Sequence, residues 1–333
     1  MRLAGERFHM PEDFHRTTDL RLGMLPSGRP LETPVHTYEG KAGPTLYVQA
    51  AQHGREINGT ETLRRFHHRL KSVGTKLAGT IVAVPVANPI TFDRVSYTAP
   101  KSLDSVNGNM NRVWPGDATG TLHQRMAAEL WEYVKAADAV VDLHTGSPDM
   151  LPHVVYTADD SPSKELAAAF GTELLLGEPA DDAATDSWHR RNFDGKLRVA
   201  ATQAGIPAIT PELGYNRQIL EPVVELAVDG LIDVCRHLGM LPGDVQRRDQ
   251  QMGRNHLGQV NAPESGLFRP EPTLEVGDHV TDGQTLGALF GPMRYERRQT
   301  VTANRDGLLY ALRREATVTP GDSLASIAIL EQS

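Results

Sequence analysis

One cysteine, Cys235, stands in 333 residues. That scarcity excludes an internal disulfide and any multi-cysteine zinc or iron–sulfur site. Its setting in "LIDVCRHL" predicts a buried helix thiol. Dense basic runs are also missing: 34 Lys and Arg face 42 Asp and Glu, a formal charge of −8. Nucleic acid is therefore not an expected partner, and an anionic ligand would need its own patch of positive charge. The opening "MRLAGERFHMPEDFH" has no apolar stretch of signal-peptide type. No later run approaches the roughly 18 apolar residues of a membrane span, so a cytoplasmic protein with no membrane partner is the expectation.

What is present fits a folded, loop-rich chain: 39% hydrophobic and 23% charged residues, with 30 Gly and 22 Pro. At roughly 150 residues per domain the length suggests two domains. Between "PTLYVQAAQHG" and "GLIDVCRHLG", short aliphatic runs alternate with amphipathic stretches of helix length. The pattern predicts an α/β domain with a mostly parallel mixed sheet flanked by helices. Expected strands are 45–50, 80–87, 138–143, 153–157 and 206–210; expected helices are 57–72, 120–136, 163–175 and 217–238.

Around 241–255 the chain turns polar and loses both periodicities, as at a junction. We expect an α/β domain over 1–245 and a smaller all-β domain over 246–333, where Gly-Asp and Asp-Gly turns punctuate alternating strands. "VGDHVTDGQTLG" and "VTPGDSLASI" resemble the half-motifs of a barrel-sandwich hybrid, the fold of lipoyl and biotinyl carriers. A carrier needs a lysine at a hairpin tip, and none follows Lys196. The segment is then a structural or capping β-domain.

Four stretches carry candidate chemistry. In "QAAQHGREING" an apolar strand ends and His53 and Glu56 follow at i and i+3, an imidazole and a carboxylate suited to zinc. In "ADAVVDLHTGS", His144 sits at the carboxyl end of a second apolar strand, where sites collect in open α/β sheets. If the two strands are neighbours, His53, Glu56 and His144 make a three-ligand set with a position left for water. Asp142, on the same side as His144 by period two, either orients a ligand imidazole or is satisfied in the core. In "GIPAITPELGYN", Glu212 is expected just past a third strand, held extended by Pro211, and can serve as a general base. The long loop in "VANPITFDRVSYTAPKSLDSVNGNMNRVWPG" holds Arg94 and the pair Asn111-Arg112; a guanidinium beside an amide suits capture of a carboxylate.

Taken in order, "HGREING", "NMNRVWPG", "DLHTGS" and "PELG" resemble the succinylglutamate desuccinylase/aspartoacylase family of the zinc carboxypeptidase superfamily, from about Thr45 to the C-terminus. The resemblance implies that His53, Glu56 and His144 hold one zinc ion per chain. It also implies that Glu212 is the general base, that Asn111 and Arg112 clamp the substrate carboxylate, and that Arg94 polarises the scissile carbonyl. Asn109 stands where relatives commonly have an aspartate. His67-His68 are expected on a solvated helix face; His189 in a substrate loop and Tyr215, Tyr295 and Tyr310 are further candidates to reach a substrate, with nothing in the sequence selecting among them.

The function expected is a zinc-dependent amidohydrolase that removes an N-acyl group from a small amino acid or related carboxylated amine. A zinc metallocarboxypeptidase acting on peptide C-termini is the second reading, and a non-catalytic binding protein with a degenerate metal site the third. A homo-oligomer is compatible with the sequence.

Overall fold

The computed structural model describes residues 14–73, 76–146, 149–179, 192–246, 248–254 and 259–331. The first part of the chain supplies strands β1 His15–Met24, β2 Pro30–Glu39, β3 Lys41–Ala50, β4 Ala78–Val84, β5 Ala139–Gly146, β6 Asp149–Met150, β7 His153–Thr157, β8 Leu174–Glu178 and β9 Ala208–Tyr215. Its helices are α1 Ile57–Val73, α2 Pro89–Asp93, α3 Leu122–Val134, α4 Ser161–Phe170, α5 Leu197–Gln203 and α6 Glu221–His237. Strands β10 Gln251–Arg254, β11 Gln259–Asn261, β12 Gly266–Pro270, β13 His279–Val280, β14 Thr285–Phe290, β15 Arg297–Thr302, β16 Gly307–Leu312, β17 Thr317–Val318 and β18 Ser323–Leu330 follow.

The main sheet runs in the order β1-β2-β4-β3-β5-β9-β7-β8-β10-β18-β16-β13. Its centre, β4-β3-β5-β9, is parallel, and β7 enters antiparallel to β9. A separate antiparallel sheet, β15-β14-β12-β17, lies in the C-terminal region. The central strands are apolar on both faces, as a sheet covered on both sides requires. Leu46 and Val48 of β3 pack beneath α1, α4 and α6, whereas Tyr47 packs beneath α3 and α5. Among the described residues, no helix is long and apolar enough to cross a membrane.

The expected elements appear with shifted ends, each for a local reason. Expected strand 80–87 stops at Val84 because Pro85 cannot donate to a ladder. Helix α4 starts at Ser161, where the Asp160 carboxylate accepts from Ser163 N at 2.9 Å, and stops at Gly171, whose φ of 84° is the left-handed value that ends helices. Residues expected to continue it instead become β8. Strand β9 runs on to Tyr215, so Glu212 lies within a strand and not beyond one; His144 likewise lies inside β5. Strands β1, β2 and β8 and helix α5 were not among the expected elements. Cys235 is buried in α6, as expected. The junction is bridged by hydrogen bonds, since β10 lies parallel to β8.

Candidate metal centre and chamber

Strands β3 and β5 are neighbours, with Ala50 opposite Leu143. Beyond Ala50 the chain turns through Gly54, where a Cβ would stand 1.9 Å from Thr91 O, so only glycine allows this close backbone approach. The Glu56 N–H donates to His53 O at 3.1 Å, and this turn sets both side chains toward β5. His53 Nδ1 lies 2.8 Å from Glu56 Oε1, and His144 Nδ1 lies 2.9 Å from Glu56 Oε2. One ligand atom from each of His53, Glu56 and His144 falls within 4.8 Å of the others, and all three residues are buried.

The far side of each ring is also engaged. His53 Nε2 lies 3.1 Å from Asn109 Oδ1, and His144 Nε2 lies 2.9 Å from Asp142 Oδ2. Donating Nε2–H to an oxygen leaves Nδ1 as the lone-pair nitrogen, which is how outer contacts prepare imidazoles for a metal. Asn109 provides an oxygen where an aspartate was the expected acceptor, so the amide supplies the same contact without the charge. Asp142 is held by Gln49 Nε2 at 3.0 Å and Gln52 Nε2 at 2.7 Å. The chemistry of this donor set, two neutral imidazoles and a carboxylate with oriented second nitrogens, fits zinc. With no ion between them the same rings turn N–H donors and positive charge on Glu56, and this outweighs burial, which alone would raise the carboxyl, and holds the acid down to about 2.

Glu212 is opposite His144 on one side and His153 on the other, so all three share one face of the sheet. Burial pushes its carboxyl up to about 7, with Glu56 and Asp142 acting in the same direction against His144 and Lys196. Among the described residues its carboxylate has no hydrogen-bond partner. It opens onto a chamber of about 270 Å³, whose lining includes Tyr97, Asn111, His153, Glu178, Lys196 and Glu212.

The remaining expected residues divide. Asn111 lines the chamber: its Oδ1 accepts from Leu197 N at 3.0 Å, while its Nδ2 lies 3.3 Å from His144 Nε2, a nitrogen already donating to Asp142, so the Nδ2–H donors are left for another acceptor. Arg112 holds its guanidinium 4.5 Å from the ring centre of Phe193, which lines the chamber. Arg94 is a correction. It ends the short helix α2, is exposed, and lines a different depression with Pro26, Ser27 and Leu103. From there it does not face the chamber. Tyr310 lines the chamber, Tyr215 lines another depression, and Tyr295 is 89% exposed. His189 lies outside the described residues.

Sequence reasoning missed a charged wall. Lys196 Nζ donates to Glu178 at 2.9 and 3.0 Å, and Arg198 also pairs with Glu178. Two cations against one carboxylate leave this wall net positive, the local charge that an acidic chain needs to hold an anion. Glu178 ends the apolar run "LLLGE", the same strand-end signal that marked His144; Lys196 is the last lysine of the chain. Tyr97 was missed as well, its ring stacked 3.9 Å from that of His53.

Residues 42–238 match the succinylglutamate desuccinylase/aspartoacylase catalytic domain. The N-alpha-acetyl-L-2,4-diaminobutyric acid deacetylase of Halomonas elongata is 28% identical over 321 residues, covering 90% of this chain and 86% of that protein. A succinylglutamate desuccinylase/aspartoacylase from Rhodobacter sphaeroides superposes with a TM-score of 0.81 at 22% identity, over 98% of both chains. The product-bound ectoine utilization protein EutE (DoeB) from Ruegeria pomeroyi gives 0.81 at 23% identity over 95% of both. At these identities the two structures speak for the fold.

Proposed function

The chain belongs to the succinylglutamate desuccinylase/aspartoacylase family, and from that premise we propose that it is a zinc-dependent amidohydrolase acting on small N-acyl amino acids. The observation that carries this reading is the convergence of His53 and Glu56, from the turn after β3, with His144 and Glu212, which face each other on the adjoining strands β5 and β9. Zinc bound by those three side chains supplies a Lewis acid for the acyl carbonyl and lowers the pKa of water toward about 7.

Glu212 is placed to take a proton from the attacking water and return it to the departing amine. A carboxyl poised at about 7 matches that double duty near neutral pH. Lys196, Arg198 and Arg112 give the chamber the positive charge that receives the substrate carboxylate. Asn111, its Oδ1 held by Leu197 N, keeps its Nδ2–H donors for the substrate carboxylate beside Arg112. In this reading residues 1–245 carry the chemistry, and residues 246–333 close one wall through Gln259, Tyr310 and Ser323. A chamber of about 270 Å³ favours small amides over peptide C-termini. The Halomonas relative makes N-acetylated diamino acids the first substrates to try.

The test is a hydrolysis screen of N-acetyl and N-succinyl amino acids, diamino acids and peptides, with chelated protein as control. Glu212→Gln should keep its zinc and lose about 10²-fold or more in kcat. Unchanged turnover in that variant would remove Glu212 from the reaction.

A further inference from the structure

Away from the chamber, three more imidazoles meet. His15 of β1, His36 of β2 and His67 of α1 each present a ligand nitrogen, and these atoms lie within 4.8 Å of one another. The topology enforces the meeting. Strand β1 pairs antiparallel with β2, setting Thr17 opposite His36 and His15 opposite Tyr38, so these side chains share the sheet face that α1 covers. On α1, Phe66 and Leu70 are buried beneath the helix, and His67 comes down at the rim of that contact, half-buried. The expected solvated face therefore holds for His68 but not for His67.

The contacts among these rings are unusual for side chains that only fill space. His15 Nε2 lies 3.0 Å from His36 Nδ1, and two facing nitrogens at that distance cannot both carry protons. The Tyr38 hydroxyl lies 2.6 Å from His67 Nδ1, an outer contact of the kind that fixes the orientation of a ligating ring. The His67 ring centre is 4.8 Å from that of His15 and 6.1 Å from that of His36. Glu61, the nearest carboxylate on α1, is taken by Arg64 and Arg65. A groove of about 410 Å³ borders His36 and His67 and gives solvent access to the cluster.

We propose that His15, His36 and His67 form a second divalent transition-metal site of zinc type, distinct from the His53–Glu56–His144 centre, that clips the N-terminal hairpin to α1. Three neutral imidazoles with water in the fourth position are an ordinary zinc environment. Zinc–nitrogen bonds of about 2.0–2.1 Å put ligand nitrogens roughly 3.4 Å apart in a tetrahedron. Small rotations of half-buried side chains close the present spacing to that value. Because β1 is the outermost strand of the sheet, paired with β2 and packed against α3, an ion joining it to α1 on the other face adds a restraint at that edge.

The experiment is a zinc titration of the purified full chain, with bound metal counted by mass spectrometry after removal of free ion and melting followed in parallel. Wild type should take up two zinc ions per chain, and melting should rise by a few degrees as the second binds. His15→Gln, on an exposed strand, and His67→Gln should each take up one and lose that second rise, while N-acyl hydrolysis stays at the wild-type rate. A wild-type chain that saturates at one ion, or variants that still bind two, would overturn the proposal. Should His67→Gln fail to fold, His15→Gln and the wild-type melting curve decide the matter by themselves.

Discussion

Lys196 shows at the scale of a residue what the chamber asks of its substrate. Burial pushes the ammonium down to about 8, with Glu178 opposing the fall and Arg198 adding to it. The folded pKa is below the ordinary lysine value, so the charge is full below about 8 and disappears as pH rises through it. If Lys196 helps hold the substrate carboxylate, KM for an N-acyl amino acid should climb above about pH 8 with kcat little changed. Lys196→Met should raise KM at neutral pH and flatten that climb. Steady-state kinetics from pH 6 to 9 would check both, and an identical KM profile in wild type and variant would remove Lys196 from binding. This residue was illegible in the sequence because its meaning depends on Glu178, a partner on β8, and neither β8 nor α5 was recognised. Arg94 failed in the opposite way: a loop residue has no periodicity to fix its direction, so its charge alone suggested a role that its position denies.

Among the elements, α1 matters most to the centre, since Glu56 immediately precedes it. Its approach to the sheet passes through Gly59, where a Cβ would stand 2.8 Å from Leu143 Cβ and 3.1 Å from Ala50 Cβ. Gly59→Ala should cost about 1–3 kcal/mol of stability by overpacking. Because Leu143 adjoins His144, it should also weaken metal retention, and urea unfolding with and without chelator would measure both effects. The strands that carry the centre were readable because β3 and β5 are buried on both faces and so appear as continuous apolar runs. Strand β1 escaped notice because "HRTTDLRLGM" buries little besides Leu22. Strand β8 escaped because a short apolar run following a helix does not by itself distinguish strand from helix. Glu212 was placed one step too far along, since Pro211 reads as a strand end even though β9 continues through it.

For the molecule as a whole, the C-terminal strands matter by lining one side of the chamber. At about 270 Å³ it falls below the roughly 300–1,000 Å³ of pockets that take drug-sized ligands. N-acyl amino acids should therefore be hydrolysed far faster than peptides of three or more residues, in side-by-side assays of kcat/KM; comparable rates would favour the carboxypeptidase reading. Catalysis of this kind requires one cation held between β3, β5 and the turn before α1. Anomalous scattering at the zinc edge, from crystals grown with zinc, tests this most directly. The account predicts a peak about 2.0–2.2 Å from His53 Nδ1, His144 Nδ1 and a Glu56 carboxylate oxygen. A zinc-replete crystal with no peak among those three side chains would contradict it.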